Sequence, residues 1–220
     1  MKIISALFGA TTILLLSVCG NSSQSRSANT DTSAAASNSA SAQVSTTRDK
    51  VQSASDFMKA MDDMMGKMQL MKMTGDFDVD FANMMVEHHQ GALDMAQVET
   101  SQGKDETMKA KAQEILTKQK QQELKDFVQT YKPSGMKHGE GEMQQSMSKM
   151  MDKMKAMKMT GDVDKDFATM MASHHEDGIS MAKMELKNGM SDKLKQMAEK
   201  SIDDQQKDIK EFQTWLSGNK

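Results

Sequence analysis

Two adjacent histidine pairs, His88-His89 and His174-His175, are the residues of this chain best suited to chemistry. Each histidine follows a methionine by one helical turn: Met84 precedes His88, Met85 precedes His89, Met170 precedes His174 and Met171 precedes His175. An i, i+4 spacing puts an imidazole and a thioether on one face of a helix, close enough to share an ion. Met95 and Met181 extend those stripes seven residues beyond His88 and His174. Imidazole and thioether together select soft or borderline metals, Cu(I) and Ag(I) above hard cations. Neighbouring residues of a helix point about 100° apart, so each pair is better placed to serve two adjoining sites than to chelate one ion. His138, in Met136-Lys137-His138, is a weaker accessory candidate.

The elements that must hold these residues are written twice. Met71-Lys72-Met73-Thr74-Gly75-Asp76 recurs at 157–162, and the offset of 86 persists through Asp80-Phe81-Ala82 and Asp166-Phe167-Ala168 to the histidine pairs. Near the ends it slips to 85, where Leu124-Lys125-Asp126-Phe127 meets Ile209-Lys210-Glu211-Phe212, so one copy carries one extra residue. Each copy reads as three helices. A short one spans about Asp56 to Lys72, or Glu142 to Lys158, and stops at a capping glycine, Gly75 or Gly161. A long one, capped by Asp76 or Asp78 and by Asp162 or Asp164, carries the histidines to about Ser101 or Lys187. After Gly103 or Asn188-Gly189, a third runs from about Asp105 to Tyr131, or Ser191 to Trp215. The expected fold is all-α: a pseudo-symmetric antiparallel four-helix bundle made by two tandem repeats, 56–132 and 142–217, joined by a linker at 133–141, with the two short helices at its ends or sides.

Those short helices are saturated with methionine. Met61, Met64, Met65 and Met68 cluster in the first, and Met147, Met150, Met151 and Met154 in the second, where Met143 and Met157 complete a stripe along one face. Of 220 residues 26 are Met, whereas Leu, Ile, Val and Phe together make only about 15%, below the ~20% that marks a chain too poor in apolar residues to fold. Methionine must therefore supply part of the core, which is its ordinary use on a helix face. Yet no Leu, Ile, Val or Phe occurs from Glu140 to Asp162, although Leu forms helices equally well and resists oxidation. That exclusion points to thioethers wanted as ligands as well as filler, and to several ions per chain.

The N-terminus is a targeting segment. Lys2 and the apolar run to Val18 form a secretory signal, 1–18, followed by the sole cysteine, Cys19. Leu16-Ser17-Val18-Cys19 resembles a bacterial lipobox, which would lipidate Cys19, and Gly20 after it resembles lipoproteins sorted to the outer membrane. The expected location is the periplasmic side of the envelope, with membrane contact through the lipid alone. Ser, Ala, Thr and Asn then dominate up to Ser55, so 19–55 is expected to be a disordered tether.

Both copies resemble one known family. Asp-Phe-x-x-Met-Met-x-x-His-His, then Met-Ala, then a helix bearing Gln121 and Phe127, or Gln205, Gln206 and Trp215, is similar to the DUF305 family over about 76–130 and 162–216. The resemblance implies an exported four-helix-bundle or ferritin-like protein; the first copy keeps the family's His-His-Gln-Gly-Ala, and the second departs from it at Glu176-Asp177-Gly178. Some Met-rich relatives are periplasmic copper-binding proteins of copper resistance, which implies Cu(I) here and a copper exporter or chaperone as partner. A tethered scaffold that docks partners through a Met-rich surface is the alternative. A di-iron oxidase needs Glu-x-x-His on two helices, and the chain contains none, so no enzyme activity is expected. A net charge of -3 leaves no basic surface for nucleic acid.

Overall fold

The computed structural model describes residues 35–118, 120–133 and 139–219, and among them every regular element is a helix. The chain divides into two units, 1–39 and 40–220, and the second carries both repeats. The signal, Cys19 and His138 lie outside the described residues. In chain order the helices are α1 (Ala35–Leu70), α2 (Phe77–Gln102), α3 (Glu106–Thr117), α4 (Lys120–Thr130), α5 (Glu140–Ala156), α6 (Val163–Asn188) and α7 (Asp192–Gly218).

Three expectations need correction. Residues 35–55 are helical rather than a structureless tether: α1 starts at Ala35, not near Asp56. Nothing between 35 and 65 is Gly or Pro, so a helix anchored by buried Ser53 and Phe57 has no local reason to stop before reaching back. Gly75 does not cap α1, which ends at Leu70; it makes the later turn into α2 with φ 86°, as Gly161 does before α6 with φ 76°. The third helix of the first repeat is broken into α3 and α4, whereas α7 is continuous. The break falls where the copies lose register by one residue, so the extra residue is absorbed by interrupting the helix instead of rotating everything beyond it.

The repeated motif Thr-Gly-Asp-x-x-x-Asp explains the turns. Asp80 accepts hydrogen bonds from Thr74 N (2.8 Å), Thr74 Oγ1 (2.7 Å) and Gly75 N (2.9 Å), and Asp166 repeats this with Thr160 and Gly161. Asp76 and Asp162 are the N-caps, accepting from Val79 N and Lys165 N. Asp78 and Asp164 reach the other repeat. Asp78 at the start of α2 accepts from Met190 N and Ser191 N after the end of α6, both at 3.0 Å; Asp164 at the start of α6 accepts from Lys104 N and Asp105 N after the end of α2, at 2.9 and 2.8 Å. These reciprocal bonds make α2 and α6 antiparallel about a pseudo-twofold axis. Because the histidine pairs sit midway along both helices, the axis passes between them.

Phe57, Phe77, Phe167 and Phe212 and the methionines fill the core. Met61, Met64, Met65 and Met68 of α1 and Met143, Met150 and Met154 of α5 are buried; Met147 and Met151 are half-buried. Close packing is legible at Gly91, where an added Cβ would stand 2.6 Å from Met64 Sδ.

Candidate metal centre

The imidazoles of His88 and His174 stack across the axis, with centroids 3.7 Å apart and planes at 25°. Both residues are 1% exposed. The outer members diverge as adjacent helix positions must: the His88 and His89 rings are 6.5 Å apart at 58°, and those of His174 and His175 6.1 Å apart at 57°. His174 Nε2 lies 2.9 Å from the His88 carbonyl oxygen. A carbonyl only accepts, so Nε2 carries the proton and Nδ1 the lone pair. His174 Nδ1 and both ring nitrogens of His88 are buried with no hydrogen-bond partner.

Electrostatics keep these rings neutral. Burial, and then the neighbouring His89 and His175, hold His88 well below the ordinary histidine value of 6.5; burial, and then His88, do the same for His174. A buried polar atom without a partner costs free energy, and a neutral imidazole nitrogen is the form that binds metal. The donor set therefore fits a metal chemically. Among the described residues, however, no three His, Cys, Asp or Glu side chains are grouped to hold an ion as they stand. The stacking supplies a reason: lone pairs lie in the ring planes, so rings packed face to face do not aim them at a common point, and an ion must meet the ring edges.

The edges open on a cavity of ≈ 60 Å³ that all four histidines line, together with Gln121, Gln205, Lys118 and Asp208. Among the described residues no methionine lines it. Met84, Met170, Met171, Met95 and Met181 are all at most 2% exposed and belong to the core cluster. Met85 is buried too, and it shares with His89 and Met197 a second cavity of ≈ 470 Å³. His89, Lys118 and Asp208 border both spaces. The structure thus gathers the four histidines expected to gather and joins one thioether from the expected set, Met85, to them through His89. The methionines of α1 and α5 line neither cavity.

Sequence reasoning missed the charged side of the site. Asp208, 5% exposed, lies with Oδ2 3.4 Å from His175 Nε2 and accepts from Lys111 Nζ at 2.5 Å; Lys111 also bonds Glu211 at 2.6 Å. Burial opposes ionisation of Asp208, but His175 and Lys111 hold its carboxyl well below the usual range. A signal did exist. Leu194, Ala198, Gln205, Asp208 and Phe212 form the buried stripe of α7, so Gln205 and Asp208 are polar residues at helical spacing on an apolar face.

The chain matches the family described as a domain of unknown function, DUF305, twice, over residues 21–131 and 122–216. No curated protein and no solved structure matches it.

Proposed function

The chain belongs to the DUF305 family, and from that premise we propose that it binds Cu(I), or Ag(I), at the histidine cluster, sequestering or passing on the ion without turning it over. The observation that carries this is the His88–His174 pair: buried, neutral imidazoles of which both His88 nitrogens and His174 Nδ1 lack the partners that buried polar atoms normally have. A soft monovalent ion suits neutral nitrogen donors, and His89 links the cluster to a cavity that the thioethers of Met85 and Met197 border. In this reading the protein is exported, anchored through Cys19, and buffers copper in the envelope for an export or detoxification system. Binding requires the stacked rings to turn or part, so metal loading and local rearrangement go together.

The packing of the methionines argues against the scaffold alternative. Met190 is the one methionine among the large apolar side chains that are exposed in the described residues, and most of the others are buried or, like Met147 and Met151, half-buried, so packing takes up most of the thioether surface a partner would need. Anaerobic Cu(I) titration against a competing chelator tests the proposal. Wild type should outcompete the chelator, and a His88→Ala/His174→Ala variant should lose at least one equivalent; unchanged affinity and stoichiometry in a folded double variant refutes it.

A further inference from the structure

His88 and His174 are each 1% exposed, so an ion must be drawn to them out of water. Stripping a cation of its hydration before other donors replace it is costly, and a passable route needs donors part of the way in. Two helical stripes supply one. Met85 and His89 stand one turn apart on α2, and Met197, Ser201, Asp204 and Asp208 follow at successive turns of α7 over about 16 Å. All six line the ≈ 470 Å³ cavity. The inner members of the two stripes, His89 and Asp208, also line the ≈ 60 Å³ cavity of the histidine cluster. Burial increases along the way: the Lys200 and Lys207 side chains at the rim are exposed, Met197 is half-buried and Met85 is 2% exposed. Four carboxylates against three lysines make up the charged lining of the larger cavity, so it does not repel a cation. Among the described residues, Met85 and Met197 are the methionines that line either of the two spaces.

We propose that the larger cavity is the port of the metal centre and that Met85 and Met197 form a weak capture site in it: a soft monovalent ion binds there first and then passes beside His89 to the stacked pair. A thioether is a soft, neutral donor, so it replaces water around Cu(I) or Ag(I) without adding a charge that would hold the ion back. The proposal rests on the metal reading and adds to it where the ion enters, and that these two thioethers carry it without keeping it.

The experiment uses the full chain without oxygen. Competition with a Cu(I) chelator at equilibrium gives the affinity, release from the loaded chain into excess chelator gives the off-rate, and the two together give the loading rate. Met85→Leu/Met197→Leu, which conserves volume, should load and release Cu(I) about tenfold more slowly at unchanged affinity, because a step on the path acts on both directions alike. Met95→Leu/Met181→Leu, in the core and lining neither cavity, should change neither rate. Unchanged rates in the port variant mean that the ion enters elsewhere, and faster release at weaker affinity means that Met85 and Met197 are lasting ligands; either result overturns the proposal. Wild type gives a second reading should the port variant not fold. With the methionine methyls labelled with ¹³C, Ag(I) added beyond what the histidines hold should shift Met85 and Met197 and leave Met95 and Met181 in place; unmoved Met85 and Met197 resonances overturn the port. A wild type that takes up neither ion overturns the metal reading and the port with it, and because wild-type affinity is measured first the two failures are distinct.

Discussion

Glu99 of α2 lies beside Asp164 of α6 with no donor aimed at either of its carboxyl oxygens. The relation is repeated by Glu185 and Asp78. Gly103 and Gly189 make the room: a Cβ at either would fall 2.2 or 2.0 Å from the glutamate Oε1. Two ionised carboxylates could not share such a place, whereas a proton on the glutamate supplies the missing donor. Burial, and then the aspartate, push Glu99 and Glu185 up to about 9.

From this follows a pH dependence. The ordinary glutamate value is 4.5, so between about pH 4.5 and 9 these two glutamates bind more protons in the folded chain than in the unfolded one, and the stability they contribute must fall as pH rises. Chemical denaturation at pH 7.5, 8.25 and 9, above the range in which histidines titrate, should show a steady decline. Glu99→Gln and Glu185→Gln, which carry a permanent donor, should each flatten it. An equal slope in both variants would assign the decline to other groups.

The histidine stack adds the opposite trend on the acid side. His88 and His174 are held neutral by burial in the fold, and unfolded histidines protonate near pH 6.5. Stability should therefore be unaffected by these groups above that pH and be lost as pH falls below it. Their ring ¹⁵N shifts should stay those of neutral imidazole at pH 6, where an exposed histidine is largely cationic.

Two glycine substitutions separate packing from backbone effects. Gly178→Ala would place Cβ 2.3 Å from Gln205 Oε1 and 3.0 Å from His88 Cε1; it should cost about 1–3 kcal/mol and move the His88 ring resonances. Gly66→Ala, in α1 with nothing within 4 Å, should stabilise by about 0.5–1 kcal/mol. Thermal or denaturant midpoints compared with wild type check both.

Met143, Met150 and Met154 are buried in the core and line neither cavity. Changing each to Leu conserves volume and should cost less than about 1.5 kcal/mol apiece, with circular dichroism unchanged. If Cu(I) stoichiometry also stays unchanged, these thioethers are packing; if it drops, α5 holds ions apart from the histidines.

The helical repeats and the pairing of the histidines were legible because both are local: an 86-residue offset and an i, i+4 spacing need only the chain. The one-residue slip was legible as well, but not its effect, since a sequence does not say whether an extra residue will twist a helix or break it between Thr117 and Lys120. Met84 and Met170 show what spacing carries and what it does not. Sharing a helix face with His88 or His174 guarantees proximity, but these methionines join the core cluster and do not line the cavity. Asp208 and Lys111 went unseen because their meeting joins α7 to α3 across 97 residues, a contact that exists only after folding.

The reciprocal reach of Asp78 and Asp164 bears on what a single repeat is. Each aspartate caps backbone N–H groups that belong to the other copy, and each copy contributes one face of the imidazole stack. One repeat by itself would leave those amides uncapped and one face of its central histidine bare. The chain is in effect a homodimer made covalent, and its halves are not identical: Met197 stands in the second copy where the first has Lys111, the partner of Asp208.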